Sequence, residues 1–326
     1  MDYFCGMEKI DLVYLWVDGN DPEWKMKKRK ALIKRGEEPA PEALNKGRFM
    51  DNNELKYSLR SVEMYAPWIN KIWIVTDDQT PAWLNTEHPK IKMVSHRDIL
   101  PAEYLPTFNS HAIEASIPNI EGLAERFLYA NDDTFFAKPA TPDFFYTQEG
   151  FPIARFSRRM PRHTSLYMTV VRKAGRLVWE RCGKNYNLNP HHNIDAYLKS
   201  DVIACNEEFK EQVDFTRSQQ FRTTDDLQRI VWLYWALAKG RAKKRIVRHY
   251  TATKSVRERV ECLIRGKYST DSRSFGLHGV GVEKRIEKYN PVLMCLNDTE
   301  MATDNCRSGM KSYLERRFPQ KSSFEK

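Results

Sequence analysis

Two adjacent carboxylates, Asp132 and Asp133, interrupt an apolar stretch near the middle of the chain. The segment reads ERFLYANDDTFFAKPATP over residues 125–142, and its first apolar residues predict a short buried strand. Carboxylates near a core are unfavourable unless a positive group meets them. A hard divalent cation such as Mg2+ is one candidate, because it takes one or two carboxylates together with substrate phosphates. An ordinary turn is the alternative, because Asn and Asp favour turns and helix caps.

Composition and charge limit the classes of protein that this chain can be. Its 326 residues are 41% hydrophobic and 12% aromatic, enough for a large core in one large domain or two smaller ones, and too apolar for a disordered chain. A formal net charge of +10 favours an anionic partner, such as nucleic acid, a membrane face or a phosphorylated or nucleotide substrate. Nucleic acid is the least supported, because the sequence has neither zinc-finger spacing nor a basic repeat interleaved with aromatic residues.

Cysteine spacing and hydropathy indicate a cytoplasmic protein. The six cysteines form no CxxC or Cys/His ligand spacing; their even number leaves disulfides open, but their spread favours reduced thiols. The N-terminus lacks the features of a signal peptide, and the longest apolar run, residues 230–238, is too short to span a bilayer. The basic segment 307–326 could rest on an anionic membrane, at its inner face, although a solvated tail is the simpler interpretation.

Alternating apolar and helical segments in the first half predict an α/β fold. Four short apolar runs, read as strands buried on both faces, cover residues 9–17, 71–76, 91–94 and 127–129. Asp21 and Pro22 are typical of a helix start after the first strand, and Leu55, Leu59 and Val62 share one face of the next helix. The pattern predicts an open, mainly parallel sheet flanked by helices, Rossmann-like or GT-A-like.

Polar residues follow each of these predicted strands, at the edge where open α/β sheets bind ligands. These residues are Asp18, Asp77, His96 and Asp132. Their common position favours a functional site over a plain turn at the acidic pair. Arg48 and Arg60 could contact phosphate from nearby, although an ion pair is the commoner fate of an arginine.

The second half is predicted to be mostly helical. Residues 221–240 carry the strongest helix pattern, with Thr224 as N-cap, and Arg222 just before the positive end would make an anion site. A hairpin is expected around Gly175. Near the C-terminus an apolar run followed by Asp298 repeats the pattern of residues 125–142, where an apolar run leads into the acidic pair.

Two adjacent histidines, His191 and His192, precede a segment expected to be helical through Tyr197. Neighbouring side chains on one strand or helix do not share a face, so at most one of the two can point into a site. For a single histidine, a surface position or a satisfied place in the core is the alternative.

Four blocks of the sequence, in order, resemble the Stealth family of hexose-1-phosphate transferases. They are IDLVYLWVDGNDPEW, the long block from RFMDNNELKYSL through LYANDDTFF, the region from NPHHNIDAYL to FRTTDDLQ, and CLNDT. Bacterial members build phosphodiester-linked capsular or cell-wall polysaccharides, and an animal relative is the lysosomal-enzyme N-acetylglucosamine-1-phosphotransferase. In lacking a membrane anchor and lumenal insertions, the sequence resembles the bacterial branch of the family.

The resemblance implies transfer of a sugar-1-phosphate from a UDP-sugar to a glycan hydroxyl, with release of UMP. The family's functional residues fall on Asp132, Asp133, His192, Arg222 and Asp298. His111, Thr223 and Thr224 depart from the animal sequence, which bears on acceptor choice more than on chemistry. Residues 1–150 would form the nucleotide-sugar-binding core, and 151–326 would complete the same catalytic unit.

The residue types at these positions suit phosphoryl transfer, which depends mainly on positioning and charge neutralisation. Mg2+ (or Mn2+) held by Asp133 and Asp298, with Asp132 as ligand or support, would neutralise the pyrophosphate. Arg222 would grip phosphate oxygens, and His192 would take the acceptor proton, with His96 and His111 as alternatives. Donor contacts are expected from Asp18, Asn20, Asp21, Arg60 and Asn131, with Trp16 or Trp24 stacking on uracil.

Two other functions remain open at this point. A metal-dependent glycosyltransferase would use the same donor but break the C1–O bond and release UDP. A non-catalytic glycan- or polyanion-binding protein would bind its ligand whether or not EDTA was present.

Overall fold

The computed structural model describes residues 8–36, 47, 49–157, 160, 165–186, 188–247, 270–277, 281–299 and 301–326. Its strands are β1 (Ile10–Leu15), β2 (Ile72–Thr76), β3 (Ile91–Ser95), β4 (Arg126–Asn131), β5 (Thr134–Phe136), β6 (Ile153–Ser157), β7 (Asn189–Pro190), β8 (Asp195–Leu198), β9 (Lys243–Ile246), β10 (Thr270–Gly276) and β11 (Pro291–Asn297). Its α-helices are α1 (Pro22–Arg35), α2 (Glu54–Tyr65), α3 (His96–Ile99), α4 (Ser110–Ser116), α5 (Pro142–Phe145), α6 (Leu166–Cys182), α7 (Lys199–Glu208), α8 (Lys210–Ser218), α9 (Ile230–Ala238), α10 (Val282–Tyr289) and α11 (Asp304–Arg317).

The main sheet has five strands in the order β3-β2-β1-β4-β8. The first four are parallel, and β8 joins the edge of β4 in the antiparallel direction. The apolar runs recognised in the sequence form these parallel strands because both faces of the sheet are covered. The predicted open, mainly parallel α/β sheet is therefore confirmed.

Alternate residues of the strands enter two separate cores. Leu12 and Tyr14 face α2, where Leu55 and Leu59 are fully buried. Val13 faces the opposite layer, which contains the apolar helix α9. This alternation is the period of two that is usual in strands. Because the four strands are parallel, their carboxyl ends lie at one edge of the sheet, between the two layers.

The first turn beyond the sheet depends on a glycine. Gly19 donates its N–H to the Phe49 carbonyl oxygen at 2.7 Å, and a Cβ on Gly19 would lie 2.1 Å from that oxygen. Asp21 then caps α1, accepting from the Trp24 N–H at 2.7 Å, with Pro22 as the first helical residue, as predicted. The turn after β1 is thereby held against the segment that leads into α2.

Strand β5 carries the chain from the main sheet into a second sheet. It follows the acidic pair directly and pairs with β11, which in turn pairs with β10. The Leu296 N–H donates to the Asp133 carbonyl oxygen at 2.9 Å, so the start of β5 lies beside the end of β11. A third small sheet has the order β7-β6-β9.

Three local predictions for the second half are wrong. The strong apolar helix begins at Ile230, because Asp226 accepts from the N–H and the hydroxyl of Thr223 and holds the preceding residues in an irregular turn. The segment around Gly175 is the long helix α6, whose apolar face packs in the core. The residues before Tyr197 enter strand β8, because the open edge of β4 offers backbone partners.

The C-terminal segment is docked against the rest of the chain, which corrects the expectation of a solvated tail. Phe318 and Phe324 are 0% and 3% exposed. Glu325 accepts two hydrogen bonds from Arg60, each 2.8 Å long. Within the described ranges, none of the helices has the length and apolar content needed to cross a membrane.

Candidate active site

The acidic pair occupies the tight connection between β4 and β5. The Asp133 N–H donates to Asp132 Oδ1 at 3.0 Å, and the Thr134 hydroxyl donates to the Asn131 carbonyl oxygen at 2.6 Å. Both carboxylates are half-buried, and the next three residues are fully buried in the core. The pair therefore lies at the carboxyl edge of the main sheet, where the sequence pattern placed it.

Further acids surround Asp132. Burial raises the pKa of its carboxyl well above the usual value, and the charge of Asp133 raises it further. Two neighbours on the segment entering α2, Glu54 and Asp51, add to this effect. Burial also raises the pKa of Glu54, to about 7. The site thus concentrates negative charge in a poorly solvated cleft, a condition that a cation relieves.

The three-residue spacing of Asp51 and Glu54 is typical of a helix capping box, but the structure does not form one, since α2 has Asn53 as N-cap and no side-chain cap hydrogen bond. Asp51 accepts from the Asn53 N–H at 2.9 Å, and Glu54 accepts from the Asn52 N–H at 2.6 Å, so each orders the loop rather than the helix. Burial raises the pKa of Asp51, and Asp18 contributes to the rise. The two acids belong to the cleft. In the sequence, the signal for this location was their position at the start of a helix.

A carboxylate, an imidazole and a thiol meet at the start of β5. One ligand atom from each of Asp133, His192 and Cys295 lies within 4.8 Å of the other two. Cys295 Sγ donates to Asp133 Oδ2 at 3.3 Å, whereas Asp133 Oδ1 is buried without a hydrogen-bond partner in the described part of the chain. Cys295 was missed in the sequence because it is a single apolar-looking residue within a strand.

His192 is a neutral imidazole next to a buried acid. Burial lowers the pKa of His192, the charge of Asp133 opposes this effect, and the charge of Arg229 adds to it. The ring of Tyr167 packs edge-on against it, with ring centroids 5.9 Å apart. At neutral pH such an imidazole can accept a proton.

Unlike His192, His191 points into a buried hydrogen-bond network. This network fixes the segment of residues 191–195, called the histidine segment below. Its ring nitrogens lie 2.7 Å from Ser272 Oγ and 2.8 Å from Asp195 Oδ1. Arg229 donates to Asp195 Oδ2 at 2.6 Å and to the Tyr197 hydroxyl at 2.7 Å. Burial alone would raise the pKa of Asp195, but His191 and Arg229 hold it below its usual value. This network, which the sequence analysis missed, sets the backbone that carries His192.

Asp298 reaches the same neighbourhood but has a cationic partner. Its charge contributes to the raised pKa of Asp133. Both of its carboxylate oxygens accept from Arg307, at 2.8 and 3.1 Å. In this structure the carboxylate is neutralised by a guanidinium group, and its role as a metal ligand stays a prediction.

Arg222 approaches the cleft through a chain of hydrogen bonds. It donates to the Ser110 hydroxyl, which donates to Glu114 at 3.4 Å. The Tyr129 hydroxyl lies 3.2 Å from Glu114 and 2.8 Å from the side-chain oxygen of Asn131. Among the described residues no hydrogen bond joins Arg222 to Asp133, and its phosphate contact stays a prediction.

Several predicted site residues have other partners. Arg60 gives its donors to Glu325 and to the Phe318 carbonyl oxygen, and its contact with the donor stays a prediction. His111 Nδ1 lies 3.0 Å from Asp226 Oδ2. Burial lowers the pKa of His96 to about 4, and it lies near Asp77 and Asp78 rather than the acidic pair. Arg48 lies outside the described residues.

The expected uridine region is ordered mainly by its own contacts. Asp18 exchanges two backbone hydrogen bonds with the Gln79 side chain, and its Oδ1 accepts from the Asn20 N–H at 2.8 Å. Trp24 is buried against Phe49 and Phe108, with ring centroids 5.1 and 5.4 Å away, and does not offer a free face for a base. Trp16 is also buried, at 6% exposure. Contacts from Asp18, Asn20 and Asp21 to a nucleotide stay predictions.

The donor set fits a divalent cation. Asp133 Oδ1 is buried and lacks a hydrogen-bond partner in the described part of the chain, and the neighbouring acids raise one another's pKa values. Carboxylate oxygens are the ligands that Mg2+ and Mn2+ prefer. Asp133 and Asp132 are the residues placed to hold such an ion.

The fold and cleft define an α/β protein of the class that binds ligands beyond the carboxyl ends of its parallel strands. Residues 8–36 match the model of Stealth protein conserved region 1, and residues 48–154 match that of Stealth protein conserved region 2. The chain belongs to the Stealth family. The matched regions contain the turn after β1, the segment leading into α2 and the acidic pair.

Curated relatives extend the similarity beyond these regions. An exopolysaccharide phosphotransferase of Streptomyces coelicolor, SCO6021, is 40% identical over 72% of this chain and 44% of its own length. The exopolysaccharide phosphotransferase CpsY of Mycobacterium tuberculosis is 33% identical over 97% of this chain and 58% of its own length. The chain thus spans about half the length of these relatives.

Among solved structures, the galactosyltransferase LgtC, in complex with donor and acceptor sugar analogs, matches at 11% identity. The match covers 96% of each chain, with a TM-score of 0.44.

Proposed function

We propose that this protein transfers a hexose-1-phosphate, such as N-acetylhexosamine-1-phosphate, from a UDP-sugar to a hydroxyl group of a glycan. UMP is released, and the product is a phosphodiester in a bacterial capsular or cell-wall polysaccharide. Membership of the Stealth family and the relatives named exopolysaccharide phosphotransferases support this proposal. The relatives are longer than this chain, which covers 44% and 58% of their lengths, so the proposed activity depends on the residues of its own cleft.

The observation that carries the proposal is the placement of His192 beside Asp133. The acceptor oxygen attacks the phosphorus that bears the sugar, the bond from this phosphorus to the bridging oxygen breaks, and UMP leaves with the electron pair. The hydroxyl proton passes to the neutral imidazole of His192, whose pKa is lowered by burial. The lowered pKa keeps the base unprotonated at neutral pH.

The surrounding residues supply charge complementarity in this proposal. A Mg2+ or Mn2+ ion held by Asp133 and Asp132, joined by Asp298 if Arg307 releases it, would neutralise the pyrophosphate. Arg222 suits the phosphate oxygens because its planar fork can bind two of them. Ser110 accepts a hydrogen bond from that arginine and donates to Glu114, which the Tyr129 hydroxyl links to Asn131.

The nucleotide product tests the proposal. The purified protein is incubated with a panel of UDP-sugars, an oligosaccharide acceptor and Mg2+, and the products are separated. UMP together with a phosphodiester-linked product is expected. UDP with a glycosidic product would replace the proposal by an ordinary glycosyltransferase, and donor binding that is indifferent to EDTA, without turnover, would indicate a binding protein.

A further inference from the structure

We propose that Asp133, His192 and Cys295 form a binding site for a thiophilic divalent cation such as Zn2+ or Cd2+. Their ligand atoms all lie within 4.8 Å of one another. The three residues come from the β4–β5 connection, the segment before β8, and β11. Their ligand set contains a thiol and an imidazole, unlike the carboxylate set proposed for Mg2+.

The chemistry of the three ligands selects the kind of ion. Thiolate and imidazole ligands favour Zn2+ and its heavier relatives, whereas Mg2+ prefers oxygen ligands. Cys295 Sγ and Asp133 Oδ2 are 3.3 Å apart, close to the spacing of about 3.5 Å between two ligands of a tetrahedral Zn2+. His192 supplies the third ligand, and a tetrahedral ion would keep its fourth position for water or substrate.

The state of these groups without a metal also fits such a site. Asp133 Oδ1 is buried without a hydrogen-bond partner in the described part of the chain, and Cys295 is fully buried beside it. The Cys295 thiol donates its proton to Asp133. Binding of the cation replaces this proton, which is released to solvent, and converts the thiol to a coordinated thiolate.

Occupancy by such an ion would stop the proposed reaction. A metal bound to the imidazole of His192 takes the lone pair that would accept the acceptor proton, and Asp133 is no longer available to Mg2+. Only this inhibitory effect depends on the proposed function, because binding of the ion can be measured without any substrate.

Cd2+ titration in the presence of excess Mg2+ tests the site directly. Wild-type protein, stripped of metals with EDTA and then dialysed, is expected to develop the ultraviolet absorbance of a thiolate–Cd2+ bond at one equivalent. Cys295→Ser should lose this band and bind Cd2+ at least 10-fold more weakly. Cys182→Ser, a half-buried thiol on α6 whose Sγ lies 3.9 Å from Glu208, is the matched control and should keep it.

A second measurement keeps the test decisive if Cys295→Ser fails to fold. Alkylation of wild-type protein is carried out in urea just below the unfolding transition, where the buried Cys295 is modified through transient opening, and is followed by peptide mass spectrometry; Cd2+ is expected to slow modification of Cys295 at least 10-fold and to leave Cys182 unaffected. Absence of a thiolate–Cd2+ band, or a band that survives in folded Cys295→Ser, would overturn the proposal. Equal alkylation of Cys295 with and without Cd2+ would do the same.

Discussion

The two carboxylates after β4 differ in their surroundings, and this difference separates their roles. Asp132 has one oxygen engaged by the Asp133 N–H and lies among Glu54 and Asp51. Asp133 has a buried oxygen without a hydrogen-bond partner in the described part of the chain and an imidazole nearby. We therefore assign the principal cation contact to Asp133 and a supporting position to Asp132.

Asp133→Asn is expected to abolish Mg2+-dependent UMP release, because an amide removes the negative charge that attracts the ion. The measurement is nucleotide release at saturating Mg2+, with circular dichroism as a check of folding. Asp143→Asn, on the exposed start of α5, is the matched control and should behave as wild type. Normal turnover of Asp133→Asn would remove its metal role.

His192→Ala is expected to lower turnover by about 10²–10⁴-fold while donor binding is kept. A base works only when unprotonated, so the wild-type rate should fall as the pH drops through the pKa of His192. Burial lowers this pKa, so the midpoint of the acid limb should lie below the ordinary value of 6.5. The pH profile of kcat/KM measures it, and an acid limb unchanged in His192→Ala would assign the base elsewhere.

Residues of the site could be predicted at positions where a charged residue interrupts an apolar stretch, and less well elsewhere. Asp132 and Asp133 follow a predicted strand and were placed at its carboxyl end in advance, whereas His192 was selected through the family resemblance, because the residues alone left the choice between His191 and His192 open. The pair formed by Arg60 and Glu325 could not be predicted, because the two residues are distant in sequence and no local pattern joins them. Cys295 was missed because a thiol within an apolar strand looks like core.

At the scale of elements, the path of the chain after β4 brings the site together. Strand β5 leaves the main sheet at the acidic pair and pairs with β11, which places Cys295 opposite Thr134. Strand β8 closes the edge of β4 and carries Asp195 opposite Tyr129. The histidine segment is thereby fixed between the main sheet and α9.

The pair formed by Arg229 and Asp195 is expected to position this segment. Both side chains are about 3% exposed, so Arg229→Met should leave the buried Asp195 carboxylate with His191 in place of its guanidinium partner and destabilise the fold by up to about 3 kcal/mol. Asp195→Asn in the same chain should recover part of this loss, because the uncompensated charge disappears. Urea unfolding of the single and double variants measures the coupling.

Catalysis gives a second readout for the same variants. If the network orients His192, Asp195→Asn should lower kcat more than it changes KM for the donor. Additive unfolding energies, together with unchanged kcat, would show that the pair does not position the site.

Helices and strands were predicted correctly where the local sequence pattern determines them. The predictions were wrong where contacts with residues distant in sequence determine the structure. The four parallel strands and the face of α2 follow from short apolar runs and helical spacing. The start of α9 was placed too early, because Asp226 binds Thr223 and His111 in a turn that propensity does not reveal. Strand β8 was read as helix because its antiparallel partner, β4, is about seventy residues away.

At the scale of the whole molecule, the C-terminal residues lock onto α2. Arg60→Ala is expected to lower the free energy of unfolding by up to about 3 kcal/mol at neutral pH, because Glu325, with its side chain 3% exposed, loses its guanidinium partner and keeps only the contacts with Lys56 and Ser322. Arg97→Ala is the matched control, since the Arg97 side chain is 69% exposed in its pair with Asp78 and should contribute less than about 1 kcal/mol. Chemical denaturation measures both.

The same ion pair predicts a dependence of stability on pH. Burial alone would raise the pKa of Glu325, but hydrogen bonds from Arg60 and Ser322 hold it at about 2, against an ordinary value of 4.5. A depressed folded-state pKa contributes stability above the unfolded-state value that is lost as the pH falls through the folded-state value. The difference between wild type and Arg60→Ala should therefore shrink between pH 4.5 and pH 2. A constant difference would argue for lost packing instead.

The antiparallel strand at the edge of the main sheet has a consequence for biosynthesis. Until Asp195–Leu198 have left the ribosome, β4 keeps an open edge, and the β5 strand that follows waits for Pro291–Asn297. An emerging chain with exposed strand edges is prone to mispairing. Expression of residues 1–150 alone would make this waiting permanent, so such a fragment should accumulate in inclusion bodies or on chaperones.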